Sequence, residues 1–223
     1  MFDVTLTFDN GPTAATTEVL DILDAHGLKS TFFVIGKNAV LPGARARMER
    51  IVADGHRIGN HTWTHSTPLG QRQQEADLLE REIHATQRLF DDLAGEEKLF
   101  RPNGGGGVLD ARLMDERVVG HLVDAAWTCV LWNNVPRDWV DLDGWVDTAL
   151  AACQARPWSV VVLHDLPTAG AVRHLARFIQ AVGRMGGRFR QDFAPECLPV
   201  VRGEIRGDIR RYATLAGPDQ SQA

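Results

Sequence analysis

Cysteine is scarce in this chain. There are three, Cys129, Cys153 and Cys197, with no CxxC spacing. An odd count without paired spacing argues against a disulfide framework or a cysteine zinc cluster and fits buried, idle thiols in a reducing compartment. Basic charge is also short. Lys and Arg number 24 against 29 Asp and Glu, a formal net charge of −5. No surplus exists to neutralise phosphates, so neither nucleic acid nor an anionic membrane is an expected partner. The cluster Arg202, Arg206, Arg210 and Arg211 reads as a solvated tail. The N-terminus shows no basic segment followed by an apolar one, and no apolar run is long enough to span a bilayer. A cytoplasmic protein is the expectation, although a secreted chain trimmed of its leader reads the same. Linkers rich in Pro or Ser and internal repeats are missing too. The 223 residues are therefore read as one large domain over 1–193 with a C-terminal extension over 194–223 whose polar end frays.

Short apolar, β-branched runs alternate with longer stretches of helical period. The predicted strands are Val4–Phe8, Thr31–Ile35, Arg57–Asn60, Leu99–Arg101, Thr128–Trp132, Val160–His164 and a weaker Arg188–Phe193. Between them lie predicted helices at Thr16–His26, Ala44–Asp54, Gln74–Leu93, Asp110–Asp124, Gly144–Arg156 and Ala171–Met185. The stretch from Gln74 has the clearest period, with Leu78, Ile83, Leu89 and Leu93 recurring among charged residues. Such alternation implies a parallel sheet with crossover helices, as a barrel or a doubly wound sheet.

Polar residues gather where the strands end: Asp9-Asn10, Asn60-His61, Arg101-Pro102, Asn133-Asn134 and His164-Asp165. In parallel α/β architectures the loops at that end converge on one mouth, which carries the active site.

The segment GNHTWTH places His61 and His65 at i and i+4, on one face if the segment turns helically, a spacing suited to two ligands of one divalent metal. Asp9 is either a turn cap or a buried carboxylate with a chemical role. LFRPNGGGG is either a flexible loop or a segment in which Arg101 orients a carboxylate and the glycines after it let backbone N–H groups approach a ligand. His164, ending the apolar strand VVVLHD, is either a packed core histidine or a general acid.

Taken in order, TFDNGP (Thr7–Pro12), HTWTH (His61–His65), RPNG (Arg101–Gly104), VPRDW (Val135–Trp139) and LHD (Leu163–Asp165) resemble the five motifs of the polysaccharide deacetylase family, also called NodB-homology domains or carbohydrate esterase family 4. The resemblance implies a distorted (β/α) barrel with fewer than eight strands, about seven of them parallel, and hydrolysis of N-acetyl groups from amino sugars. It implies Asp9 as general base, His61 and His65 as ligands of a metal that is usually zinc in the family, and Arg101 holding Asp9. His164 would be the general acid, paired with Asp138. Trp139 and Leu163 would wall the substrate site, and the Asn103 backbone N–H would stabilise the oxyanion. This set supplies what an unreactive acetamide needs: a Lewis acid, a base for water, an acid for the leaving amine, and donors for the developing charge.

The sequence departs from the family pattern in three places. Asn10 stands where the metal-binding Asp of the first motif is expected; it offers the metal a neutral oxygen and weakens its hold. Val135 replaces the first Asp of the DxxDW motif. Asn103 replaces an aromatic and is followed by Gly104–Gly107. Alongside deacetylation, two other readings stand: hydrolysis of a small cyclic or linear amide, in the manner of allantoinase-like relatives, and a weakly active or non-catalytic sugar-binding protein.

Overall fold

The computed structural model describes residues 1–215. Its spine is β1 (Phe2–Asp9), buried at every residue but Asp3. The segment FDVTLTFD alternates strictly: Phe2, Val4, Leu6 and Phe8 join the apolar core, while Thr5, Thr7 and Asp9 are buried on the opposite face. Its interior Thr7 hydroxyl is satisfied by donating to the Val161 carbonyl at 2.8 Å.

Around it stand β2 (Thr31–Val34), β3 (Arg57–Asn60), β4 (Leu99–Phe100), β5 (Met114–Asp115), β6 (Thr128–Cys129), β7 (Trp158–His164), β8 (Gly187–Arg190), β9 (Val200–Val201), β10 (Glu204–Ile205) and β11 (Ala213–Thr214). The main sheet runs β10-β9-β6-β4-β3-β2-β1-β7, with β8 also paired to β1. Strands β1 to β4 and β6 to β8 pair in parallel. A lone bridge from Asn134 to Val161 brings the chain after β6 back onto β7. The sheet thus curls into the distorted (β/α) barrel the sequence implied.

Helices Ala14–Ala25, Ala44–Ala53, Glu116–Asp124, Trp145–Gln154 and Ala171–Arg184 cover the sheet. Thr13 starts the first with a capping box shared with Thr16, and Asp115 caps the third through the Val118 N–H. One apolar cluster packs β1 against the helices through Phe8, Leu20, Phe32, Trp145 and Phe178. A second fills the side under β4 and β6 with Phe100, Met114, Leu122, Trp127 and Trp132.

Two expectations need correction. The long Gln74–Leu93 helix is instead a short helical stretch whose middle, Glu80–His84, widens into a π-turn, followed by Ala85–Gln87 and turns. The apolar period is real, since Leu78 and Ile83 are fully buried, but Glu82 is buried with them. Its carboxylate is drawn inward to bond another loop, and the widened turn accommodates it. Next, the helix predicted from Asp110 begins at Glu116, because Met114–Asp115 pairs with Ala213–Thr214 instead. The segment after Phe193 lies on the sheet: β9 is antiparallel to β6, and the Leu131 N–H donates to the Cys197 carbonyl at 2.7 Å. The frayed end expected after Ala216 lies outside the described residues. Among the described residues no helix is long and apolar enough to cross a membrane.

Candidate active site

Asp9 closes β1 and is 4% exposed; Arg101, just past β4, is fully buried. One guanidinium nitrogen donates to Asp9 Oδ1 at 2.7 Å and to Thr7 Oγ1 at 2.7 Å. Its Nε and other terminal nitrogen donate to the carbonyls of Val130 and Leu131 at 3.0 and 3.3 Å, and the plane lies 4.0 Å from the Phe33 ring centre. A buried ion pair of this kind is tolerated because its remaining donors are also satisfied. Asp9 is held rigidly, its second oxygen 3.4 Å from His61 Nε2.

His61 and His65 come together with ring centres 4.6 Å apart, as the spacing implied, but not on a helix. The segment is a tight loop in which Thr62 and His65 take left-handed backbone angles, φ 66° and 49°. Side chains replace the helical hydrogen bonds. Asn60 Oδ1 accepts from the Thr62 N–H, Thr62 Oγ1 from the His65 N–H, and Glu82 from the N–H groups of Trp63 and Thr64. His61 Nδ1 donates to the Arg101 carbonyl at 2.7 Å, which fixes the tautomer and leaves the Nε2 lone pair free to bind. Burial pushes both imidazoles down to about 3; at His61 the hydrogen bond to the Arg101 carbonyl opposes this and the Arg101 charge adds to it, and at His65 the neighbouring His61 adds to it. Both are neutral at physiological pH, the form that ligates metals.

His164 ends β7 in register with Asp9 on β1. Asp138 receives its Nδ1–H at 2.7 Å and its backbone N–H at 3.0 Å. Burial alone would lower the His164 pKa, but the hydrogen bond and charge of Asp138, with Asp9 and Asp165 nearby, turn the net shift upward. Trp139 meets the His164 ring edge-on at 4.7 Å.

These groups open on one cavity of about 430 Å³ with Asp9, Asn10, His61, His65, Asn103 and His164 on its polar side. Trp132, Val135, Trp139, Val162 and Leu166 form the apolar wall, and Gly104–Gly107 an edge. Two of these glycines, Gly104 and Gly107, make room for their neighbours. A Cβ on Gly104 would sit 2.3 Å from the Trp132 ring, and one on Gly107 2.9 Å from Val135. The Asn103 side chain donates to the Ser66 carbonyl and accepts from the Gly105 N–H, bracing this loop. Val135 therefore packs where an acidic residue was expected. Leu163 does not join the cavity. Successive strand residues face opposite sides, so Val162 and His164 point into the site while Leu163 is wholly buried in the core. Thr7 and Glu82 are not legible as site residues in the sequence: one lies among the alternating threonines of a strand, the other inside a helical pattern.

Asn10 is left-handed, φ 77°, a conformation Asn tolerates better than most residues. Its backbone carbonyl accepts from Asn38 Nδ2 at 2.6 Å, and its side-chain Oδ1 is buried with no hydrogen-bond partner among the described residues. Among those residues no group of three His, Cys, Asp or Glu is poised for a metal. The donor set is two neutral imidazoles and this unpartnered amide oxygen, and these residues fit a borderline divalent cation.

A metal-suited histidine pair between a buried carboxylate and a carboxylate-backed histidine, at the C-terminal mouth of an α/β barrel, defines the site of a hydrolase. The sequence pattern of the polysaccharide deacetylase family matches residues 2–118, and the chain belongs to that family. It is 35% identical over 167 residues to the chitooligosaccharide deacetylase of Sinorhizobium fredii, spanning 73% of this chain and 71% of that protein. Its fold superposes on the Bc1960 peptidoglycan N-acetylglucosamine deacetylase with a TM-score of 0.70 at 28% identity, over 91% of this chain and 90% of that one. A family 4 acetyl xylan esterase from Clostridium thermocellum, solved with a cobalt ion, matches with a TM-score of 0.66 at 26% identity, over 85% and 87% of the two chains.

Proposed function

We propose that the protein is a metal-dependent hydrolase that removes N-acetyl groups from an amino-sugar substrate, with His61, His65 and Asn10 holding zinc. The observation that supports this best is the pairing of Asp9 with His164 on adjacent strands, each backed by a different partner. Arg101 aims Asp9 as the base that takes a proton from the attacking water. Asp138 orients His164 through Nδ1 and stabilises its charged form, so that Nε2–H protonates the departing amine; without that proton the amine is a very poor leaving group. Bound by the two imidazoles, zinc supplies Lewis-acid polarisation of the acyl carbonyl and acidifies water. The Asn103 backbone N–H serves the oxyanion, and the braced glycine loop keeps it in place. Trp139 and Val162 close the apolar side on which the acetyl methyl rests, and Trp132 backs the glycine edge. Base and acid are separate residues in separate environments, so each can hold the protonation state its role needs.

The test is acetate release from N-acetylglucosamine oligomers by protein whose metal content is measured in the same preparation. Turnover tracking zinc occupancy supports the proposal. Turnover by thoroughly chelated protein, or hydrolysis of cyclic amides in preference to N-acetyl sugars, points to the ring-opening alternative.

A further inference from the structure

The loop carrying both imidazoles has no regular secondary structure of its own, so its backbone groups need partners from elsewhere. On one side the N–H groups of Gly36 and Lys37 donate to the carbonyls of Thr62 and Trp63 at 3.0 and 3.1 Å. On the other side a single side chain does most of the holding. Glu82 is 1% exposed. Its Oε2 accepts from the N–H groups of Trp63 and Thr64 at 3.0 and 2.9 Å. Its Oε1 accepts from Thr64 Oγ1 at 2.9 Å and from Arg72 at 2.6 Å. Arg72 is itself anchored through two nitrogens on Glu75. A carboxylate with four donors around it suits only the ionised form, and a neutral amide in its place would turn an NH₂ group toward donors.

The π-turn at Glu80–His84 now has a reason. In the same turn the Ile83 carbonyl accepts from Asn60 Nδ2 at 2.9 Å, and Asn60 Oδ1 holds the Thr62 N–H. The turn thus grips the loop at its start through Asn60 and at its middle through Glu82. Thr62 and His65 occupy backbone angles that most residues avoid, and such angles persist where the surroundings over-determine them.

We infer that Glu82, on the π-turn behind the site, is a positioning residue that sets the geometry of His61 and His65 toward the metal by clamping the backbone between them. It touches neither substrate nor metal. The inference rests on the proposed metal-binding role of the two histidines.

The experiment measures zinc affinity of the purified protein, stripped and then titrated with zinc against a chromophoric chelator. Circular dichroism and a melting curve of the metal-free form are recorded beside it. E82Q should fold and bind zinc about 10- to 100-fold more weakly, the range seen when outer partners of metal ligands are lost. Its kcat should climb back toward the unaltered value as zinc is raised, since the catalytic groups are intact. E82D keeps the charge and should recover part of the affinity. T64V, which removes one hydroxyl donor and keeps the shape, should lose roughly 2- to 10-fold, the equivalent of one hydrogen bond. If E82Q does not fold, T64V carries the test alone. A metal-free melting point that falls while zinc affinity stays unchanged in E82Q and T64V assigns Glu82 a purely structural part and overturns the inference. Unaltered protein that binds no zinc overturns the metal reading itself, and the inference with it.

Discussion

Asp9 and His164 are register partners on parallel neighbours β1 and β7, so the carboxylate and the imidazole stand side by side at the strand ends. Parallel strands lie about 4.8 Å apart, which lets one substrate amide meet both groups. What separates their roles is what stands behind them, Arg101 for Asp9 and Asp138 for His164.

Removing the base tests half of this arrangement. Asp9→Asn should lower kcat/KM by about 10²- to 10⁴-fold, the usual worth of a positioned acid or base. Zinc content should change far less than activity. Asp9→Ala should also lose stability by roughly 3–5 kcal/mol, because Arg101 is left as a buried, unpaired charge. Steady-state kinetics and urea denaturation separate the two effects.

The proposed acid, His164, has a pH signature. His164 is raised above its reference value of 6.5. Its protonated form therefore favours the folded state at low pH, a contribution fully present below about 6.5 and lost as pH rises through the elevated folded value. Activity that needs the proton follows the same limb, extending to a more alkaline pH than a free histidine allows. Asp138→Asn removes the charge that raises His164, so the alkaline limb of kcat/KM should move to lower pH. A limb that stays in place would show that another group sets it.

Asn10→Asp returns an anionic ligand to a position whose side-chain oxygen is buried and unpartnered. Zinc affinity, read by chelator competition, should rise, and the left-handed backbone should accept the change, since Asp shares Asn's tolerance of it. Unchanged affinity would remove Asn10 from the ligand set.

The glycine edge is a packing requirement. Gly104→Ala puts a methyl 2.3 Å from the Trp132 ring, so the loop or the ring must shift. KM for N-acetyl sugars should rise, accompanied by a change in tryptophan fluorescence. Gly106→Ala meets no side chain but is strained by φ 84°, and its cost should appear in stability before KM.

How far the sequence led depends on the kind of interaction. The strand Thr31–Val34 follows from a short buried β-branched and aromatic run, and Asp9, His61 and His164 at the strand ends do meet at one mouth. Periodicity could not see Glu82, because a buried carboxylate answers to donors about twenty residues away and bends the helix that carries it. The two-residue strands β9 and β11 escaped for a similar reason: their register is set by edge partners at Cys129 and Met114, not by local pattern. Leu163 was misplaced by a single residue, enough to turn a strand side chain from the site to the core.

The most direct test is acetate release from a chito-oligosaccharide series in three states: the protein stripped of metal, the same preparation reloaded with zinc, and the His61→Ala variant loaded with zinc. No turnover is expected from the stripped protein, zinc should restore it, and the variant should show none at the same zinc concentration. Equal acetate release in all three states would contradict metal dependence.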